Sequence, residues 1–201
     1  MIPFNRLPRL LALLAAALLA LTAMPAAAAV QITFYSKQLT SSFPHAFVVM
    51  RGTLERNGAR IDEDYGFTAK SVSPAILMGA VKGEVVSDHN AGYVAKSDAH
   101  FTVTISDSEY DRVIATVERW RNRPQPSYDL GTRNCIHFVA EIAASVGMRA
   151  DTPKKLMKKP RSYLDFLTAA NQAWLEARRA VITRPPAQRA VAALSRSSRA
   201  G

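Results

Sequence analysis

The sequence predicts an α+β domain in which an antiparallel sheet packs against helices. Three observations lead to this fold class. Apolar runs of strand length occupy the first half of the chain. An Asn57-Gly58 pair between two of these runs is a strong hairpin-turn signal. Two helical patterns, each preceded by a polar residue suited to cap a helix, follow in the second half.

Residues 1–29 have the pattern of a secretory signal peptide. Arg6 and Arg9 give a basic start without acidic residues, a Leu/Ala run follows, and alanines close the segment at 26–29. An uncleaved membrane anchor is the alternative, but the apolar run is short for a membrane span. We therefore expect cleavage near Val30 and a periplasmic or secreted protein.

Three strands are predicted in the first part of the mature chain. Residues 30–35 alternate between apolar and polar side chains, and residues 45–50 form a dense apolar run rich in β-formers. The Asn57-Gly58 turn then leads into a returning strand at 60–68. His45 accordingly lies at the start of the first strand of a hairpin.

The middle of the chain is less regular. We predict four short elements there: a helical turn at 73–79, a short strand at 81–86, the start of a strand at 93–96 and a strand at 100–105. His89 falls in a polar loop and His100 at a strand edge. We expect ordinary surface positions for both histidines.

Three helices are predicted after residue 105. Ser106 and Glu109 form a capping box, and an apolar stripe follows at helical spacing, which we assign to the core: Tyr110, Val113, Ile114, Val117 and Trp120. A second helix begins at Cys135 and stops at Gly147. A third extends from Ser162 to Arg179.

The net charge of +10 is concentrated near the C-terminus. Residues 153–201 hold 11 Lys and Arg against Asp165 and Glu176, whereas residues 30–152 are close to neutral. On an exported protein, a basic tail favours peptidoglycan or anionic lipid as partner over nucleic acid. A solvated end is the alternative. We therefore expect one domain at 30–152 and a basic, helical and partly disordered extension at 153–201.

Cys135 is the only cysteine, so an internal disulfide is excluded. Its place at the first turn of a helix favours a thiolate, because free N–H groups and the helix dipole stabilise negative charge there. A small buried apolar side chain is the alternative explanation. His137 projects about 200° away from Cys135 around the helix axis and is poorly placed as its partner. His45, on a separate strand, has no such restriction.

A motif around Cys135 resembles the signature of the lecithin:retinol acyltransferase-like family, a circularly permuted branch of the NlpC-type papain-like cysteine hydrolases. The matching residues are Tyr128, Leu130, Asn134, Cys135, His137, Phe138 and Val139. The order of elements over residues 43–148 is also similar. The resemblance implies a permuted papain-like fold, Cys135 as the nucleophile that becomes acylated and His45 as the base.

The chain departs from that family at two points. Ile136 replaces an acidic residue, and the second strand lacks the second histidine that orients the first. Three residues of that strand are candidates for the third role: Asp64, Tyr65 and Thr68. An ideal two-residue turn places Asp64 and Thr68 on the same sheet face as His45. We choose Asp64 because a carboxylate best stabilises an imidazolium.

Three functions remain open at this point. The first is an exported cysteine hydrolase or acyltransferase that forms a thioester acyl-enzyme on a peptidoglycan peptide or a lipid. The second is a non-catalytic binding or scaffold module on the same fold at the cell envelope. The third is a metal protein, which we disfavour because Cys135 and His137 cannot easily chelate from one helix. We expect no cofactor and no metal.

Overall fold

The computed structural model describes residues 29–38, 43–71 and 73–184. The cleavage prediction for residues 1–29 falls almost wholly outside this range, as does the end of the basic extension after 184. Within the described residues the chain forms six strands and five α-helices. The α+β prediction is confirmed.

The six strands form one antiparallel sheet in the order β4-β3-β2-β1-β5-β6. Their bounds are β1 Val30–Lys37, β2 His45–Thr53, β3 Arg60–Ala69, β4 Gly83–Val86, β5 Asp98–Ile105 and β6 Val181–Ile182. The first four strands follow one another as neighbours, and β5 returns to pair with β1 on its free side. β2 and β4 begin, and β3 ends, at the same end of the sheet, which we call the His45 end.

The β2–β3 hairpin forms as predicted, but its turn is longer. Phe47 pairs with Gly66 and Val49 with Asp64, and the turn is closed by the N–H of Leu54 donating to the Ala59 carbonyl at 2.9 Å. Four residues therefore form the loop instead of two. The register differs from the expected one by an even number of residues, so the face on which each side chain lies is unchanged.

The five α-helices are α1 Ala91–Ala95, α2 Asp107–Arg121, α3 Cys135–Ser145, α4 Pro160–Ala170 and α5 Gln172–Ala177. The capping box at the start of α2 is present, with Ser106 and Glu109 bonded reciprocally. The larger helices bury their apolar sides against one face of the sheet, where Phe34, Val48 and Phe67 are fully buried. This single cluster is the main core.

The opposite face of the sheet carries a smaller apolar cluster. Phe47 and Val49 of β2 pack there with Val94 of α1, and Tyr35 and Tyr93 border them. His45 shares the alternation of Phe47 and Val49, so it belongs to this second face. The candidate base is therefore positioned by a part of the fold separate from the main core.

Two predicted elements are wrong. Residues 93–96 do not begin a strand: Asn90 caps α1, its side chain accepting from the Tyr93 N–H at 2.9 Å. The single helix predicted from Ser162 to Arg179 is two helices, separated at Asn171. The Asn171 side chain binds the Arg149 and Leu167 carbonyls, which fixes the break between the helices.

The packed unit extends beyond residue 152. Tyr163, Leu164 and Leu167 of α4 and Leu175 of α5 are fully buried in the main core, and β6 pairs with β5. Because these side chains complete the layer against the sheet, we place the end of the packed unit at 184 within the described residues. In those residues no helix has the length and apolar character that a membrane crossing requires.

Candidate active site

Asn134 fixes the start of α3 and with it the position of Cys135. Its side-chain oxygen accepts the N–H of Ile136 at 2.9 Å, and its side-chain nitrogen donates to the Met157 carbonyl at 2.6 Å. His137 completes a capping box, since its Nδ1 accepts the Asn134 N–H at 3.3 Å. His137 is thus engaged at the helix start, in agreement with the expectation that it is not the partner of the thiol.

The Cys135 thiol is buried against the first residues of β2 and is only 5% exposed. The N–H groups of Ala46, Ile136 and Cys135 itself point to the sulfur. Burial raises the pKa of the thiol to about 11, and these N–H groups offset only part of that effect. The expected preference for a thiolate at this helix start is therefore wrong. The loss of solvation raises the pKa of the thiol by more than the N–H groups at the helix start lower it.

His45 lies one residue before Ala46, whose N–H meets the thiol. The residue as a whole is half-buried, and its imidazole approaches β3 closely: a Cβ on Gly66 would lie 2.5 Å from Nε2 of His45. Only glycine leaves room for the ring at that point. Burial lowers the pKa of His45 to about 3, and the nearby His89 adds to the shift.

His89 is the functional candidate that sequence reasoning missed. The loop after β4 folds over β3 and places the His89 ring 5.6 Å from that of His45, centroid to centroid. Nδ1 of His89 is hydrogen-bonded to the Asp64 carboxylate, and its backbone N–H donates to the same carboxylate at 3.2 Å. The side chain is only 8% exposed and stacks on Phe47 at 4.4 Å. The expected surface position for His89 is wrong.

The three candidates for the third role lie in different surroundings. Asp64 shares the sheet face of His45, as expected, but its carboxylate binds His89. Tyr65 points to the helix side of the sheet, where its hydroxyl donates to Glu63 at 3.2 Å. Thr68 lies on the face of Asp64 and pairs with Glu84 of β4. The structure therefore associates Asp64 with His45 only through a second imidazole.

Two tyrosines lie near enough to Cys135 for its charge to affect their pKa. Burial, and next the charge that Cys135 would carry as a thiolate, raise the pKa of Tyr128 and of Tyr93. Tyr93 belongs to the cluster around His89, with ring centroids 5.0 Å apart, whereas Tyr128 lies near Phe67 of the main core. Cys135 therefore lies at the His45 end of the sheet, near residues that belong to both sheet faces.

A second polar cluster lies in the main core. The Ser36 hydroxyl is 2.9 Å from Nε2 of His100, and Nδ1 of His100 is 3.2 Å from the Asp165 carboxylate, although poorly aligned for a hydrogen bond. Arg184 donates to the same carboxylate at 3.3 Å. Ser36 and His100 are fully buried, so the surface position expected for His100 is also wrong.

Comparison with family models, with curated proteins and with solved structures found no match for this chain. Within the described ranges, no group of three or more His, Cys, Asp and Glu side chains is arranged to hold a metal ion. The residues themselves define the site. A cysteine at a helix start lies beside a strand histidine, and a histidine–aspartate pair is adjacent.

Proposed function

We propose that this protein is an exported cysteine hydrolase or acyltransferase on a permuted papain-like fold. Cys135 is the nucleophile, and it forms a thioester with the acyl group of an ester or amide. One observation supports this most strongly: the Ala46 N–H, directly after His45, points to the Cys135 sulfur, at the sheet end where His89 and Asp64 also lie. The resemblance of residues 128–139 to the acyltransferase-like signature agrees with it.

The first chemical step starts from a neutral pair. With the thiol pKa near 11 and the His45 pKa near 3, both groups are uncharged at neutral pH. The sulfur attacks the acyl carbon while its proton passes to His45, which acts as a general base. The C–O or C–N bond then breaks, and His45 returns the proton to the leaving alcohol or amine. The product of this step is the Cys135 thioester.

The second step regenerates the thiol. Water, or an acceptor alcohol or amine, loses a proton to His45 and attacks the thioester carbon. The C–S bond breaks, and Cys135 recovers its proton from His45. The N–H groups of Ala46 and Cys135, which point to the sulfur, are suitable donors to the oxyanion that forms in both steps.

His89 and Asp64 act as positioning residues in this proposal. The Asp64 carboxylate holds His89 through two hydrogen bonds, one to the ring Nδ1 and one to the backbone N–H, and His89 stacks beside His45 over Gly66. The stack fixes where the His45 ring lies. The pair thus fills the place of the second strand histidine of the acyltransferase-like family.

A non-catalytic binding module is the second candidate function. The raised pKa of the thiol and the lowered pKa of His45 favour it, since both shifts work against charge separation between the two groups. The low exposure of Cys135 points the same way, because a buried thiol is usually inert. Peptidoglycan or an anionic lipid surface would then be a ligand only.

Acyl capture on Cys135 tests the proposal. The protein is incubated separately with phospholipid vesicles, with muropeptides and with p-nitrophenyl acetate, and its intact mass is measured. We expect an acyl adduct that maps to Cys135 and forms at least about tenfold more slowly in His45→Ala. Simple alkylation is less informative, since it reports the thiolate fraction that burial suppresses.

His137→Ala is the matched control. It removes a histidine that is only two residues from Cys135 in sequence but is engaged with Asn134, so the rate of acyl capture should change little. Absence of an adduct with all three reagents, in a folded protein, would reject the enzyme and leave the binding module.

A further inference from the structure

The loop between β3 and β4 carries an exposed apolar tip. Leu77 is 77% exposed and Met78 88%, following the 3-10 turn at 74–77. Phe43, which precedes β2, is 59% exposed. Since β2 begins and β3 ends at the His45 end, these three side chains lie at the end of the sheet that holds the candidate active site.

The tip is held by a fixed stem. The Lys70 N–H donates to the Lys82 carbonyl at 2.9 Å and closes the base of the loop. Val81 and Tyr128 exchange backbone hydrogen bonds of 2.8 and 3.0 Å, and Ile76 is buried beneath the turn. An anchored loop therefore holds the apolar side chains of Leu77 and Met78 outward, in contact with water.

The stem connects the tip to the thiol. Tyr128, the backbone partner of Val81, is the tyrosine whose pKa burial and Cys135 raise. The tip is therefore joined through Val81 to Tyr128, in the segment that leads to α3 and Cys135. This continuity distinguishes the tip from other exposed apolar residues such as Val181, on the edge strand β6.

Exposed lysines lie at the base of the tip and beside the start of α3. Lys70 and Lys82 lie at the base of the loop. A second group belongs to the segment that Asn134 binds through the Met157 carbonyl, and it is also exposed: Lys154, Lys155, Lys158 and Lys159. Among the acidic groups at this end, Asp129 is already engaged by the N–H groups of Gly131 and Thr132.

We propose that this apolar tip, together with these lysines, docks the protein on an anionic phospholipid bilayer. Leu77 and Met78 enter the boundary between headgroups and acyl chains, and the lysines bind headgroup phosphates. Lysine suits this partner because its point charge needs no fixed geometry. This inference goes beyond the proposed function, because it concerns the surface on which the protein docks and not the molecule that acylates Cys135.

Vesicle flotation tests the docking surface. Vesicles of phosphatidylcholine with phosphatidylglycerol are compared with vesicles of phosphatidylcholine alone. We expect the wild-type protein to favour the anionic vesicles, and the double variant Leu77→Asp/Met78→Asp to bind at least about tenfold more weakly. Val181→Asp is the matched apolar control and should bind as wild type.

Charge is tested in the same way. Lys82→Glu should lower binding to the anionic vesicles and weaken its dependence on salt. Arg60→Glu is the control, since Arg60 is exposed at the opposite end of the sheet. Equal effects of the two variants would show that vesicle binding depends only on the net charge, and the proposed docking site would be rejected.

The outcomes separate docking from catalysis. Acyl capture from soluble p-nitrophenyl acetate should be unchanged in Leu77→Asp/Met78→Asp, whereas capture from vesicles should fall with binding. If the wild-type protein binds vesicles through the tip but no reagent acylates Cys135, the proposed function fails and the docking site stands. If the tip variants bind vesicles normally, or only change the oligomeric state in gel filtration, the docking site is rejected.

Discussion

Within the described residues, two clusters combine a potential nucleophile, a histidine and an aspartate. One is buried in the main core, and the other lies at the His45 end of the sheet. Ser36, His100 and Asp165 have the better hydrogen-bond distances, but Ser36 and His100 are fully buried. In the cluster of Cys135, His45, His89 and Asp64, the aspartate binds His89 and not His45. His45 is half-buried there, and His89 belongs to the loop that follows β4.

The difference shows that hydrogen-bond geometry is not enough to identify a nucleophile. No acyl group can reach Ser36 without opening the core, whereas Cys135 lies at the end of the sheet and at the start of a helix. In the first cluster, Nδ1 of His100 has no well-aligned hydrogen bond, and the contacts of Ser36 and Asp165 stabilise polar groups that β1, β5 and α4 bury together. We therefore assign a structural role to Ser36 and a chemical role to Cys135.

The largest expected effect separates the two nucleophiles. Cys135→Ala should lower hydrolysis of p-nitrophenyl acetate at least about a thousandfold, because removing the nucleophile removes the covalent pathway. Ser36→Ala should retain the wild-type rate within about threefold once the folded fraction is matched by circular dichroism. The reverse result, with activity lost only in Ser36→Ala, would exchange the roles of the two clusters.

Stability should separate the two aspartates. Asp165→Ala should lower the free energy of unfolding by about 3 kcal/mol, because it leaves His100 and Arg184 without their shared carboxylate. Asp64→Ala should cost about 1 kcal/mol, since one imidazole near the surface loses its partner. Urea unfolding monitored by fluorescence measures both values.

An exposed ion pair supplies the control for the aspartates. Asp62 bonds Arg51 on the surface at 2.9 Å, and Asp62→Ala should change the free energy of unfolding by less than about 0.5 kcal/mol. A larger loss of unfolding free energy in Asp64→Ala than in Asp165→Ala would mean that the candidate active site stabilises the fold more than the buried cluster does.

Much of the fold could be predicted because its signals are local. The alternation of β1, the capping box of α2 and the cap before Cys135 each depend on a few consecutive residues. The sheet face of Asp64 was also correct despite the wrong turn length, since a shift of two residues leaves every side chain on its face.

The surroundings of the histidines could not be predicted because they depend on distant pairing. His89 is covered only because β4 pairs with β3 and brings the following loop over Gly66. His100 is buried only because β5 pairs with β1 and α4 covers that face. Two local signals were present for His89: an isolated glycine within a strand, and Asn90 as a helix cap directly after the histidine.

The dependence of stability on pH gives the finest distinction between the clusters. His45 has a pKa of about 3 in the folded protein against 6.5 when unfolded, so its contribution to stability is complete above 6.5 and is lost as the pH falls toward 3. In Asp165, burial alone would raise the carboxyl pKa, but His100 and Arg184 outweigh it and the pKa lies below 3.8. Its contribution is therefore lost only below 3.8.

Urea unfolding at pH 7, 5.5 and 4.5 isolates the His45 contribution. Over this interval the free energy of unfolding should fall more in the wild-type protein than in His45→Gln, whose side chain cannot take up a proton. Asp165→Asn should follow the wild-type slope, because that carboxyl is ionised in the folded and the unfolded state through most of the interval. Equal slopes in the wild-type protein and His45→Gln would mean that the His45 ring is solvated, and the proposed neutral Cys135–His45 pair would have to be abandoned.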